Sequence, residues 1–202
     1  SSAASDVYKR QALTSAASFT SSALIDTTGG SNLDGGAISI STTVRDASTG
    51  DITLNGNLIT TGGTATSTGR TGGGVTLIAG EGSTDGAITT STITTSGSAG
   101  ADVGDSGGAG GSISIDSVSE GITLSNNITS SGGASGGGAG SIGAGGTINI
   151  QDAVTLSANV AITTGSGGAG NISVAGTIDG NQTLTLESGT GWITLDGVIG
   201  GD

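Results

Sequence analysis

A short string related to Ile-Thr-Thr-Gly-Gly recurs along the chain and constrains its fold more than any other feature. The copies are spaced 34, 34, 35 and 34 residues apart and are centred on Ile25, Ile59, Ile93, Ile128 and Ile162. A period this regular is typical of stacked-repeat proteins, in which each repeat contacts its neighbours. We therefore expect the isoleucine of each copy to face a core and the following threonine to face outward.

Between these copies lie triplets in which two apolar residues flank a polar one. Examples are Ile52-Thr53-Leu54, Ile122-Thr123-Leu124 and Ile148-Asn149-Ile150. Period-two alternation that is rich in β-branched residues and bounded by Gly, Asn or Asp predicts short strands. The 43 glycines and the many Thr, Val and Ile residues disfavour helix. Three strands followed by a return to the same three indicate the coil of a parallel β-helix.

The predicted fold is an all-β, single-stranded parallel β-helix (β-solenoid) with about five to six coils of three short strands. Gly-rich stretches follow the third strand of several coils, so we expect loops at one edge of the solenoid. These stretches are 62–74, 96–111, 131–146 and 165–170. Composition favours disorder more in these connectors than in the strands. Neither end shows a polar cap, and we expect the natural protein to continue on both sides.

Residues 1–11, SSAASDVYKRQ, fit neither the repeat nor its composition. All eleven resemble the translation of a transposon-based sequencing-library adapter. They lack the apolar stretch of a signal peptide, which is the rival interpretation. We therefore expect residues 1–11 to be non-native and disordered, and residues 12–202 to be a β-solenoid repeat domain from a longer protein.

The charge of the chain argues against several classes of partner. Outside residues 1–11 there are two basic residues, Arg45 and Arg70, against fifteen acidic ones, which gives a net charge of −13. So few cations disfavour binding to nucleic acid or to anionic membranes. No apolar run approaches the roughly 20 residues of a membrane-spanning helix. The lack of cysteine excludes disulfides and thiolate metal sites within this chain.

Two motifs that carry chemistry in other proteins lie in the Gly-rich stretches. Residues 104–108 read GDSGG, as in trypsin-like serine proteases, but the chain has no histidine to act as the general base. Residues 138–143 fit GxGxxG, which is meaningful only between a strand and a helix. We expect both to be coincidental, with no catalytic and no cofactor-binding residues.

Acidic residues supply the remaining candidates for chemistry. The loop pairs Asp102 with Asp105 and Glu81 with Asp85 offer oxygen ligands suited to calcium, although no β-roll or EF-hand spacing is present. We favour solvated acidic loops over a metal site. Polysaccharide-active β-helix enzymes need carboxylates clustered with Arg or Lys. Four carboxylates at strand ends or corners lack basic partners, and they are Asp116, Asp152, Asp179 and Asp196. We therefore expect that this chain is not an enzyme.

Outward threonines form two predicted ladders. The second-strand ladder contains Thr53, Thr89, Thr123, Thr155 and Thr185, and the third-strand ladder contains Thr60, Thr94, Thr129 and Thr163. They resemble the ladders of ice-binding solenoids, which usually carry paired T-x-T ranks on a flat face. Here the residue two positions on is often Gly, Leu or Ser. We favour the simpler interpretation that threonine suits an exposed strand position, and we keep ice binding as an alternative.

The strand-and-glycine repeats and the phrase GNQTLTLESGTGWITLDGVIGG at 180–201 resemble large β-strand-repeat surface proteins of bacteria. These are the filamentous-haemagglutinin-like and autotransporter-like adhesins, and the resemblance covers residues 12–202. It implies a right-handed parallel β-helix, export to the cell surface or outer membrane, and a role as a stalk or adhesive surface.

From this resemblance we expect a structural or adhesive segment without catalysis, metal or cofactor. Its partners would be surface glycans, host proteins, or neighbouring coils of the full-length protein. A binding module for ice, calcium or glycan is the alternative, and a polysaccharide-active enzyme is the third interpretation. A carboxylate groove beside Arg45 or Arg70 would favour the enzyme, and a flat face with two threonine ranks would favour ice binding.

Overall fold

The structure is a computed structural model that describes residues 10–43, 49–82, 85–118 and 120–200. These ranges contain nineteen short strands and no helix. In chain order the first nine are β1 (Gln11–Ser15), β2 (Phe19–Ser21), β3 (Ile25–Asp26), β4 (Ile38–Thr43), β5 (Ile52–Leu54), β6 (Leu58–Ile59), β7 (Val75–Glu81), β8 (Ile88–Thr90) and β9 (Ile93–Thr94). The other ten are β10 (Ile113–Ser117), β11 (Ile122–Leu124), β12 (Ile128–Thr129), β13 (Ile148–Ile150), β14 (Val154–Leu156), β15 (Val160–Thr163), β16 (Ile172–Val174), β17 (Ile178–Asp179), β18 (Leu184–Glu187) and β19 (Ile193–Leu195).

Every third strand belongs to the same parallel sheet. Sheet 1 has the order β1-β4-β7-β10-β13-β16-β19, sheet 2 has β2-β5-β8-β11-β14-β17, and sheet 3 has β3-β6-β9-β12-β15-β18. The described ranges therefore hold six complete three-strand coils and the first strand of a seventh. The predicted all-β parallel solenoid is confirmed. Of the predicted adapter-derived segment only Arg10 and Gln11 are described, and Gln11 begins β1.

Inward aliphatic side chains fill the coils. Along sheet 1, Val75, Ile113 and Ile148 are partners on neighbouring strands, and all three are buried. The other two sheets contribute further buried aliphatics, among them Ile52, Leu54, Leu58, Ile88, Ile93, Ile122, Leu124, Ile128, Val154 and Ile162. Burying one such side chain contributes roughly 1.5–3 kcal/mol. Burial of this stack is therefore the main source of the stability that holds successive coils together.

The register of sheet 3 corrects one predicted core position, Ile59. Leu58, not Ile59, is the partner of Ile25 and Ile93 on the neighbouring strands. Leu58 is buried and Ile59 lies on the outer side of the sheet. Leu58 follows the buried Leu54 by four residues, the same step that separates the buried Leu124 and Ile128 at the equivalent corner.

Thr185 also lies in a different sheet from the one predicted. The second strand of the sixth coil is β17, in which Asp179 pairs with Thr155. Thr185 belongs to β18 and pairs with Ala161 in sheet 3. The sixth coil advances only 24 residues, as the pair Val160 and Leu184 shows, so the chain reaches sheet 3 sooner than the longer period predicts.

The Gly-rich stretches lie between sheet 3 and sheet 1 in successive coils, as predicted, and they hydrogen-bond to one another. The Gly97 N–H donates to the Ser131 carbonyl of the next loop at 2.9 Å. Within one loop the Gly108 N–H donates to the Ser98 carbonyl at 2.8 Å, which pairs the outgoing and returning arms. The loops thus form an ordered layer, which we call the glycine layer, instead of the disordered connectors that composition favoured.

Close approach of backbones explains the glycine content of this layer. A Cβ at Gly133 would lie 1.9 Å from the Ser98 carbonyl oxygen, and one at Gly107 would lie 1.9 Å from the Gly133 carbonyl oxygen. No side chain fits at such separations, much as only glycine fits at the crowded axis of collagen. Glycine therefore serves here as a packing residue.

A rank of buried hydroxyls fastens the glycine layer to the solenoid. We call it the clasp rank; its members directly follow the sheet 3 strands and are Thr27, Thr60, Thr95, Ser130, Thr164 and Ser188. Each donates its hydroxyl to the carbonyl of a glycine two residues before a sheet 1 strand, for example Thr95 to Gly111 at 2.6 Å and Thr164 to Gly170 at 2.9 Å. Five members thereby close their own loops, which differ widely in length, at a constant point. Ser130 instead bonds to Gly111 of the preceding loop.

Candidate functional site

The outer face of sheet 2 carries the most regular array of polar side chains. Five threonines lie in register on β2, β5, β8, β11 and β14, and we call them the threonine rank: Thr20, Thr53, Thr89, Thr123 and Thr155. The predicted ladder is thus confirmed for four members, gains Thr20 and loses Thr185. Asp179 of β17 occupies the next position. Cross-strand threonine pairs stabilise such a face, which accounts for this residue type.

The hydroxyls of the threonine rank are available to a ligand. Within the described ranges, none of the five forms a hydrogen bond to another residue through its side chain. Each hydroxyl can therefore donate one hydrogen bond and accept others. At the inter-strand spacing, successive hydroxyls follow the solenoid axis at intervals of about 4.8 Å.

A second polar rank runs beside the first, at the corner that follows each sheet 2 strand. Its members lie two residues after the threonines and are Ser22, Asn55, Ser91, Ser125 and Ser157. The backbone ladder continues through this corner, since the Ser125 N–H donates to the Thr90 carbonyl at 3.2 Å and the Ser157 N–H to the Leu124 carbonyl at 3.1 Å. Sheet 2 therefore presents Thr-x-Ser ranks rather than the paired T-x-T ranks of ice-binding solenoids.

The predicted ladder on sheet 3 is shorter than expected. Thr94, Thr129 and Thr163 lie in register and face outward. Thr60 does not join them. Ile59 is the residue that pairs with Thr94, and Thr60 directly follows it and is buried in the clasp rank. The Thr163 hydroxyl also bonds to the Glu187 carboxylate at 3.1 Å. This face is less uniform than sheet 2.

Two of the four predicted strand-end carboxylates come together at the corner between sheets 1 and 2. The Asp152 carboxylate accepts from the Ser117 N–H at 2.7 Å, so it lies beside the residue that directly follows Asp116. Burial raises the pKa of the Asp116 carboxyl, and the adjacent Asp152 carboxyl raises it further. Two of the carboxylates that the sequence singled out are therefore neighbours on adjacent coils.

The other two carboxylates and the arginines lie elsewhere. Asp179 is on the outer face of sheet 2, and Asp196 follows β19. Arg45 lies outside the described residues. Arg70 lies in the glycine layer, where its backbone N–H donates to the Ser98 hydroxyl at 2.8 Å and its Nε is buried without a hydrogen-bond partner.

The loop motifs singled out in the sequence are part of the glycine layer. The Asp105 carboxylate accepts from the Asp102 N–H at 3.1 Å, and the Asp105 N–H donates to the Asp102 carbonyl at 2.9 Å, so this pair closes a local turn. Ser106 of the GDSGG string accepts from the Ser141 N–H of the next loop at 3.2 Å. In the GxGxxG string, the Gly143 N–H donates to the Gly133 carbonyl.

Glu81 is the last residue of β7. Asp85 follows residues 83–84, which lie outside the described ranges. Throughout the described ranges, no three or more His, Cys, Asp or Glu residues are grouped so that they could hold a metal ion.

The clasp rank is the feature that sequence reasoning missed. Alternation assigns apolar residues to inward positions, so a hydroxyl that follows a strand is taken to face solvent. The available signal was the regular glycine two residues before each sheet 1 strand from β4 onward, at Gly36, Gly73, Gly111, Gly146, Gly170 and Gly191.

No protein-family model, no curated protein and no solved structure matches this chain. In the part of the chain that the structure describes, no helix has the length and apolar character needed to cross a membrane.

Proposed function

We propose that this chain is a structural or adhesive segment of a large secreted or cell-surface bacterial protein, of the filamentous-haemagglutinin-like or autotransporter-like kind. The observation that carries the proposal is repetition: the same buried aliphatic stack and the same outer ranks continue from coil to coil. A solenoid of this type gains length by adding coils without changing its cross-section, which suits a stalk.

The threonine rank supports an adhesive role for the outer surface. Its hydroxyls have no partner among the described residues, and they repeat at intervals of about 4.8 Å along one face. A glycan chain or an extended protein segment lying along the axis contacts several coils together. Weak single contacts then combine through multivalency into stable attachment.

Adhesion of beads coated with residues 12–202 to glycan arrays and to cultured cells tests the proposal. We expect saturable binding that the double variant Thr89→Lys/Thr123→Lys reduces severalfold, since two long cations obstruct the sheet 2 face. Thr94→Lys/Thr129→Lys on sheet 3 is the matched control and should bind like the parent chain. Equal loss in both variants would contradict a specific role for sheet 2, and no binding by the parent chain would overturn the adhesive role.

The stalk role needs a separate measurement, because a scaffold need not bind anything. Negative-stain electron microscopy of the purified domain should show short rods of uniform width. Globular or polydisperse particles would contradict the role of a stiff spacer.

Ice binding is the second candidate, and the threonine rank on sheet 2 is the observation that favours it. Thermal hysteresis of residues 12–202 is the direct measurement. Our leading proposal expects none. Hysteresis that Thr89→Lys/Thr123→Lys abolishes, and that the sheet 3 control retains, would replace adhesion by binding of ordered water.

A further inference from the structure

Backbone hydrogen bonds join successive loops of the glycine layer in a regular way. In the loop 96–111, five N–H groups donate to carbonyls of the next loop, 131–146, and they belong to Gly97, Gly100, Gly104, Gly107 and Gly110. Between these donors, the Ser98 and Ala101 N–H groups donate to carbonyls of the preceding loop at 2.9 Å. A partner direction that returns at every third residue matches the period of the polyproline II conformation, which has no internal hydrogen bonds. Each loop is therefore held by the loops on either side of it.

The same kind of donor row joins the earlier loops of the layer. Asn32 and Gly35 donate to carbonyls of the loop 62–74, and Gly69 and Gly72 donate to carbonyls of the loop 96–111. Each row points towards the next coil along the axis. The row of one loop is thus covered by the backbone of the loop that follows it.

The corresponding row in the loop 131–146 is not covered in this way. We call it the donor edge; its members stack on the five donors of the loop 96–111 and are Gly132, Ser135, Gly138, Ile142 and Gly145. Within the described ranges, none of these five N–H groups donates a hydrogen bond. The loop that follows, 165–170, is much shorter, and its Gly165 N–H donates to the Thr163 hydroxyl of its own coil. Unpaired backbone groups in a row are a template for pairing with another chain.

A cavity of about 250 Å³ lies where the long loop meets the short one. Gly132 and Ile142 of the donor edge line one side of it, and residues 164–168 line the other. Ile142 is half exposed. Neither loop contains a charged residue. An occupant of this cavity therefore meets backbone N–H groups and an aliphatic side chain, and no charge from either loop.

We propose that the donor edge binds an uncharged, glycine-rich segment of another polypeptide in the polyproline II conformation. Such a segment presents carbonyl acceptors with the period of the donors, as the loop 131–146 does to the loop 96–111. The addition of a chain to an open backbone edge is the principle of β-augmentation, applied here to a threefold backbone.

Close approach of the loops explains why the segment must be rich in glycine. A Cβ at Gly143 would lie 1.9 Å from the Gly108 carbonyl oxygen of the preceding loop, and one at Gly136 would lie 2.1 Å from that of Asp102. A segment that bonds to the donor edge at the same separation needs glycine at the positions that face it. This surface lies on the loops and not on sheet 2, so binding there does not require the threonine rank.

The test is an NMR titration of the ¹⁵N-labelled full chain with a capped synthetic peptide of about five Gly-Ala-Gly units, which at ~3.1 Å per residue is long enough to follow the edge. We expect saturable shifts that are largest for the amides of Gly132, Ser135, Gly138 and Ile142. Ser135→Pro removes one donor and places a ring against the peptide, while its fixed φ suits this backbone, so it should weaken binding severalfold. Ser135→Ala keeps the N–H and is the matched control, which should bind like the parent chain.

Oligoproline of equal length separates backbone conformation from close approach, because it has the same conformation but its rings prevent contact with the edge. We expect it not to bind. Equal shifts with oligoproline or with a neutral oligosaccharide such as maltoheptaose would overturn the preference for a glycine-rich polypeptide. Absence of saturable shifts with the Gly-Ala-Gly peptide would overturn the site itself, and this result needs only the parent chain. Unchanged affinity in a folded Ser135→Pro variant would also contradict binding through the donor edge.

Discussion

The clasp rank and the threonine rank contain the same types of residue, repeat with the coils, and lie on sheets that share one interior. They differ in the side of the backbone that they occupy. Thr60 of the clasp rank is buried and donates its hydroxyl to the Gly73 carbonyl, whereas Thr53, on the second strand of the same coil, bonds to no described residue through its side chain. Register, more than residue type, therefore decides whether a hydroxyl supports the fold or is free for a partner.

Removal of one hydroxyl from each rank should have very different effects on stability. Thr60→Val should lower the free energy of unfolding by about 1–3 kcal/mol, because it leaves the buried Gly73 carbonyl without its donor. Thr53→Val is the same substitution on the outer face and should stay within about 0.5 kcal/mol of the parent. Chemical denaturation of both variants measures the difference. Equal losses would show that the two ranks do not differ as the structure indicates.

A smaller effect is expected where two members of the clasp rank share one acceptor. The Gly111 carbonyl accepts from both Thr95 and Ser130, each at 2.6 Å. Thr95→Val and Ser130→Ala each leave one donor in place, so each should cost about 1 kcal/mol or less.

The double variant removes both donors and should cost more than the sum of the single variants, by about 0.5 kcal/mol or more. Thr60→Val combined with Ser130→Ala is the control, because these residues bond to different carbonyls and their effects should add. If the effects of Thr95→Val and Ser130→Ala on the free energy of unfolding simply add, the shared Gly111 acceptor contributes little to stability.

Much of the fold could be predicted because its signals are local and periodic. The triplets specify strands, and their alternation separates the interior from the surface. The register of individual residues was harder, since Leu58 and Ile59 are both apolar and the recurring string favoured Ile59. The step from Leu54 to Leu58 is four residues and recurs from Leu124 to Ile128, but the step from the inward Thr90 to Ile93 is three, so spacing alone does not give the register.

The functional features depended on contacts between coils, which a single repeat does not encode. Thr60 and Gly73 are 13 residues apart, yet Thr164 and Gly170 are only 6 apart, so no fixed spacing marks a clasp. Asp116 was recognised as a candidate, but its proximity to Asp152 depends on how the corners of the fourth and fifth coils stack.

Thr90 is a threonine that faces inward without belonging to the clasp rank. It pairs with Leu124 in sheet 2, is completely buried, and its hydroxyl has no hydrogen-bond partner among the described residues. Thr90→Val keeps the shape and removes an unsatisfied polar group, so it should raise the free energy of unfolding by up to about 1 kcal/mol. Thr89→Val, on the adjacent outward position, should change it by less than about 0.5 kcal/mol. A loss of stability in Thr90→Val would mean that this hydroxyl is satisfied in solution, and burial alone would then not distinguish a stabilising inward hydroxyl from a costly one.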